Sequence, residues 1–175
     1  FGLLFLGMTL MGDAIHPYRD AFSPWLARIN GKTVSGLVLG TLAAALVTGV
    51  VQSSGAVIGM GFAMINAGAI TEFEGIYPII LGANIGTCVT GLLGSIGTTV
   101  DARRAAIVHL LFNLISSTLG MLAAPLFFNY IHLTSDDLIR QAANAGTIKM
   151  TVCALVVLPF SPLLAKLATK LVPSS

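Results

Sequence analysis

Apolar residues run through this chain in long stretches, and polar residues interrupt them at a few places. Phe1 to Ile15 reads as the end of a membrane helix, closed by Asp13 and then His16-Pro17, because the residue before a proline disfavours helix. Residues 18–32 form a polar connection carrying Arg19, Arg28 and Lys32, with Trp25 placed to anchor at the headgroup level. Residues 33–71 hold no charged side chain. That is too long for one ~20-residue crossing and too short for three. Glu72 and Glu74 make a short acidic connection. Residues 75–100 form the next apolar stretch, followed by Asp101, Arg103 and Arg104. A further span is expected from Ala105 to about Asn129. Residues 134–149 read as a polar or amphipathic segment in which Ser135-Asp136-Asp137 suits a helix N-terminus. The last apolar run, 150–165, is broken by Pro159 and Pro162 and ends at Lys166 and Lys170. The pattern predicts an all-α, polytopic helical membrane protein, with residues 1–175 as a single unit.

Two polar clusters lie inside these runs. The first is Val50-Val51-Gln52-Ser53-Ser54-Gly55-Ala56. Hydrocarbon cannot hydrogen-bond an amide or a hydroxyl, so such a knot needs another helix, a water-filled cavity or a solute as its partner. Interhelical hydrogen bonding alone would also account for it. The second is Gly82-Ala83-Asn84-Ile85-Gly86-Thr87-Cys88-Val89-Thr90. Asn84, Thr87 and Thr90 share one face of a helix. The two glycines permit an interruption there, or serve an unbroken helix as small packing residues. Two interruptions in one short chain point toward the broken helices from which transporters build sites at mid-membrane. His109 and Asn113, at i and i+4, are secondary candidates; His109 fits an interfacial position equally well.

Composition adds the class. The chain is 55% hydrophobic and 9% charged, against about 25% charged in a soluble domain. A net charge of +2 gives no reason to expect nucleic acid. Cys88 and Cys153 form no metal-ligand spacing. The chain opens at Phe1 inside an apolar segment, with no initiator Met and no basic region before it. It reads as part of a longer polypeptide without a cleavable leader. Basic connections belong on the cytoplasmic side. That places 18–32, Arg103-Arg104 and Lys166/Lys170 inside and Glu72/Glu74 outside, in one fixed orientation. Residues 33–71 would then cross an odd number of times, with the Gln52 knot at or near a hairpin tip facing a solute path.

Gln52-Ser53-Ser54, followed some thirty residues on by Gly82-Ala83-Asn84-Ile85-Gly86-Thr87, resembles the type II sodium–phosphate cotransporter family. The run from Arg103 to Asn113, the Gly7-Met8 start and the closing Leu158-Pro159-Phe160 are similar to it as well. The resemblance covers most of the chain and matches one repeat, more like the second, of a transport domain built from two inverted repeats. It implies secondary active transport of inorganic phosphate coupled to sodium, in a plasma membrane, with the bacterial inner membrane expected. It further implies Gln52, Ser53, Ser54 and Asn84 near phosphate, and Gln52, Ser53, Thr87 and Thr90 near sodium. The expected partners are phosphate, sodium, the lipid bilayer and a second inverted repeat. That repeat could lie on the same polypeptide, on a separate chain, or in an inverted homodimer; the first two are preferred.

The departures from the family pattern are Gly55 where a third Ser is common, Cys88 where a second Thr is common, and Ala145-Gly146-Thr147-Ile148-Lys149-Met150 in place of a His and a Phe-Asn pair. They leave room for a non-transporting structural or regulatory subunit. No catalytic residue is expected. Ser53 or Ser54 with His109 would supply a nucleophile and a base for a hydrolase, but no oxyanion hole or third orienting group accompanies them.

Overall fold

The computed structural model describes residues 2–173; Phe1, the expected start of the first helix, lies outside them. The described residues are helical and form no strand. Nine α-helices follow one another: α1 (Gly2–Ile15), α2 (Arg19–Arg28), α3 (Val34–Val51), α4 (Ser54–Asn66), α5 (Phe73–Gly94), α6 (Val100–Leu122), α7 (Ala124–Tyr130), α8 (Leu138–Val157) and α9 (Ser161–Leu171), with short 3₁₀ turns before α2, α8 and α9. Helices α3, α5 and α6, and the run Leu138–Leu171, are long and apolar enough to cross a membrane. The chain is a multi-pass, all-α membrane fold.

Local chemistry sets the helix ends. Thr33 opens α3 by accepting the Gly36 N–H on its Oγ1 at 3.0 Å, Thr99 opens α6 through the Ala102 N–H, and Asp137 opens α8 through the Arg140 N–H at 2.7 Å. Each is an N-cap that satisfies an otherwise orphaned donor. Pro78 lies inside α5 and cannot donate to the Glu74 carbonyl. The Gly31 N–H takes the vacant place at 2.7 Å, tying the connection before α3 to the start of α5.

The arrangement of α3, α4 and α5 decides the topology. Gly40 packs on Pro78, Gly82 on the Thr41 carbonyl and Ala44, Gly86 on Ala45 and Thr48, and Gly49 on Val89. Residue numbers rise together, so α3 and α5 run parallel. Gly61, late in α4, instead packs on Ile76 and Ile79, early in α5; α4 therefore runs back. Helices α3 and α4 form a hairpin whose tip is Gln52-Ser53. Both of its open ends lie at one end of the bundle, where Lys32 pairs with Glu72. That hydrogen bond raises the Lys32 pKa. The expectation that residues 33–71 cross an odd number of times, with 18–32 and Glu72/Glu74 on opposite sides, is corrected here. The physical reason is packing: α3 lies parallel to α5 along the Gly82 and Gly86 seam while Gly61 seats the returning α4 on Ile76, so the chain comes back to Lys32 before α5 begins.

Helix α5 is unbroken from Phe73 to Gly94. The interruption expected at Gly82–Thr90 is absent, and Gly82 and Gly86 are instead the places where the backbones of α3 and α5 meet. A Cβ at Gly82 would strike the Thr41 carbonyl oxygen and the Ala44 side chain, which is why small residues line such seams. On the other flank α6 returns antiparallel. The Tyr77 hydroxyl donates to the Gly120 carbonyl at 2.9 Å and the Ser117 hydroxyl to the Leu81 carbonyl at 3.2 Å. Phe73, Tyr77, Phe127 and Phe128 form an aromatic cluster with ring centroids 5.3–6.0 Å apart, fixing α7 against the start of α5. Ala142 and Ala145 of α8 complete this core. Arg104 Nε donates to the Val172 carbonyl at 3.0 Å, placing the end of α9 beside the start of α6.

Candidate functional site

The hairpin tip is built from three adjacent residues with different tasks. Gln52 ends α3 in the left-handed conformation, φ 56°, and its N–H closes the helix on the Thr48 carbonyl at 2.7 Å. Among the described residues it is the single non-glycine with positive φ. A side chain in that conformation costs about 1–2 kcal/mol that a glycine avoids. Ser53 then opens α4, its Oγ accepting the Ala56 N–H at 3.2 Å. Ser54 is the first residue of α4. The side chains of Gln52 and Ser53 are exposed and that of Ser54 is half-buried. The tip thus presents an amide, two hydroxyls and the N-terminal turn of a helix, where free N–H groups and the dipole favour an anion.

The second cluster lies alongside. The register that brings Thr48 to Gly86 and Gly49 to Val89 carries Gln52 level with Thr90, one turn beyond Thr87. Asn84 and Thr87 are half-buried and Thr90 is exposed. Thr87 Oγ1 donates to the Ala83 carbonyl at 2.7 Å, leaving its lone pairs open to a cation. The secondary candidates occupy the other side of α5. His109 is exposed and its Nδ1 stands 3.5 Å from where a Cβ would sit on Gly91. Asn113 is buried and its Nδ2 donates to the His109 carbonyl at 3.1 Å. Cys88 is buried toward α6, its Sγ 3.8 Å from the same carbonyl.

Two of the three departures, Cys88 and Gly55, differ in position. Cys88 faces α6 rather than the tip. Gly55 lies within the tip, and a Cβ there would meet nothing within 4 Å. No group of three or more His, Cys, Asp or Glu side chains is gathered among the described residues, so a cation at the tip would find neutral amide, hydroxyl and carbonyl oxygens. Lys149 belongs to the polar 134–149 segment and to the 145–150 departure, and its burial is not expected from either. The structure buries it at 2% exposure, on a stripe with Ala142, Ala145, Cys153 and Val157. Small and apolar residues at three- and four-residue spacing around a lysine were the available signal.

Comparison with known proteins follows the same lines. The family described as Na+/Pi-cotransporter matches residues 3–158. The uncharacterized protein YqeW of Bacillus subtilis (strain 168) is 26% identical over 182 residues, covering 99% of this chain and 58% of that protein. Sodium-dependent phosphate transport protein 2A of Oryctolagus cuniculus is 32% identical over 157 residues, covering 83% of this chain and 23% of that protein. Sodium-dependent phosphate transport protein 2B of Homo sapiens is 29% identical over 150 residues, covering 82% and 21%. The chain thus spans a little over half of the first relative and about a fifth of the mammalian ones. No solved structure matches it.

Proposed function

The chain belongs to the Na+/Pi-cotransporter family, and from that premise we propose that it is one repeat, the C-terminal one, of a carrier that moves inorganic phosphate with sodium across a plasma membrane, the bacterial inner membrane in the expected case. The observation that carries the reading is the left-handed Gln52 at the hairpin tip, where a strained backbone holds an exposed amide side chain beside the start of α4. Strain at a non-glycine persists where the surrounding structure holds it and marks a place of function. Phosphate takes N–H and O–H donors from the α4 terminus, Gln52, Ser53, Ser54 and Asn84. Sodium takes oxygen ligands from Gln52, Ser53, Thr87 and Thr90. No charged residue occurs between Lys32 and Glu72, so cotransported sodium would balance the anion, which makes coupling physically reasonable. A second inverted repeat supplies the opposite wall.

The carrier needs no catalytic step. A serine nucleophile has little support, since Ser53 Oγ is engaged with the Ala56 N–H and His109 lies against Gly91 on the other flank of α5. A non-transporting subunit of the same fold is the alternative, favoured by the hydroxyl missing at Gly55. Phosphate uptake into proteoliposomes holding the complete protein separates the two. Uptake driven by an inward sodium gradient and lost in Gln52→Gly is expected. No sodium-dependent uptake from correctly folded protein would overturn the transport reading.

A further inference from the structure

Helix α8 has 20 residues, about 30 Å of helix, which already equals the thickness of a bilayer core. Pro159 and Pro162 break the run at the 3₁₀ turn Leu158–Phe160. Helix α9 then packs on α6 with Leu164 and Ala168 buried. Its end is fixed at the start of α6, where Arg104 Nε donates to the Val172 carbonyl at 3.0 Å. Two rows lie side by side on the uncovered face of α9. Leu163, Leu167 and Leu171 are 55%, 39% and 62% exposed. Lys166 and Lys170 form the adjoining row and are exposed too; side chains four apart share a helix face. Lys166 lies roughly 9 Å along the axis from Val172, a distance that its four-carbon stem helps to span toward the headgroups. Arg103, at the start of α6, is also exposed. Among the described residues none of Arg103, Lys166 and Lys170 is ion-paired. Asp101, the only acid between Glu74 and Asp136, is engaged with Arg104 at 3.3 Å, and no acid follows Asp137.

We propose that this edge of the bundle binds an anionic phospholipid, its phosphate held by Lys166 and Lys170 and one acyl chain laid along Leu163, Leu167 and Leu171. Charge complementarity selects an anion, because three exposed cations stand here without a counter-charge. Basic side chains on an amphipathic helix beside a membrane-spanning segment attract anionic lipid for that reason. The contiguity of the two rows selects an amphiphile. A leucine row bordered along its length by ammonium groups is matched by one molecule that carries a chain and a charged head together. A free oxyanion would use the lysines and leave the leucines in place, and a zwitterionic lipid would cover the leucines and bring no net charge. Arg104, engaged with Asp101 and Val172, positions the end of α9 rather than the lipid. Lipid binding at this edge is independent of what the chain transports.

The test takes the complete protein in uncharged detergent and measures its thermal midpoint after addition of phosphatidylcholine or phosphatidylglycerol. Native mass spectrometry of the same samples counts retained lipid. Wild type is expected to melt higher with phosphatidylglycerol than with phosphatidylcholine and to keep phosphatidylglycerol bound. Both the upward shift and the bound lipid are expected to be lost when Lys166→Gln and Lys170→Gln are combined. They are expected to survive in the paired Lys166→Arg and Lys170→Arg variant, which keeps the charge, and in Arg140→Gln, which removes an exposed cation from the start of α8. Equal midpoints with the two lipids overturn the proposal, as does a phosphatidylglycerol preference that persists in the double glutamine variant. Loss of the preference in Arg140→Gln to the same degree would show diffuse charge rather than a site and overturns it too. The same shift from soluble glycerol phosphate would assign the lysines to a free oxyanion and overturn the lipid.

Discussion

Gln52 concentrates the argument at the scale of single residues. A glycine at φ 56° would close the hairpin with less strain, so the choice of glutamine is explained by what its side chain does after folding. Gln52→Gly is expected to raise stability by about 1 kcal/mol while abolishing sodium-dependent phosphate uptake. Thermal unfolding and uptake on the same preparation check both halves. A purely structural Gln52 would let uptake survive. Gly55 gives the complementary experiment, because space is open where its Cβ would stand. Gly55→Ser adds a hydroxyl at the tip without a clash. One more hydrogen bond is worth roughly 0.5–1.5 kcal/mol, so half-saturation for phosphate or sodium is expected to fall about two- to tenfold. An unaltered concentration dependence for both would remove residue 55 from the site. The tip was legible in the sequence because amide and hydroxyl side chains stand out in an uncharged stretch. Lys149 was not, because its burial depends on which face of α8 the neighbouring helices cover.

Between helices, the same composition carries opposite meanings. Glycines beside polar residues at 82–90 can mark a broken helix or a seam, and only the partner decides. Here α3 presents Thr41, Ala44 and Thr48, all buried, at intervals of three and four against Gly82 and Gly86, so the seam prevails and α5 stays whole. Gly82→Ala would drive a methyl group into the α3 backbone at Thr41. A loss of about 1–3 kcal/mol is expected from that overpacking. Gly59 of α4 meets nothing within 4 Å, so Gly59→Ala is expected to be neutral or to gain up to about 1 kcal/mol from helix propensity. Melting the two variants side by side is the measurement. Equal effects would mean that the α3–α5 approach is looser than described. Pro78 belongs to the same economy of backbone groups: the carbonyl it leaves free on Glu74 holds Gly31, a contact that no local pattern around either residue announces.

For the whole molecule, the hairpin changes what the charges mean. Reading each connection alone placed the basic 18–32 stretch and the acidic Glu72/Glu74 stretch on opposite sides, yet Lys32 and Glu72 pair across a long sequence interval. With both at one end, Arg28, Lys32 and Arg140 belong to that half of the bundle, and Arg103, Arg104, Lys166 and Lys170 to the other. The Lys/Arg bias that usually orients a membrane protein is then close to balanced, and the argument from charge for a single orientation, and against an inverted second copy, loses its footing. The outer face of α3, with Leu42, Leu46 and Val50 at 60%, 71% and 76% exposure, leaves one side of the tip uncovered by the described residues. Single cysteines at Lys32, Thr71 and Thr98, with Cys88 and Cys153 replaced by serine, test the arrangement in intact cells with a membrane-impermeant maleimide. A hairpin that returns to its starting side requires that positions 32 and 71 respond alike and that position 98, beyond the α5 crossing, responds oppositely. Labelling of 32 and 71 from opposite faces would restore the odd crossing and dissolve the tip as a re-entrant site. Equal labelling of all three from both faces would show two orientations in the membrane, the condition under which a second, inverted copy could complete the site.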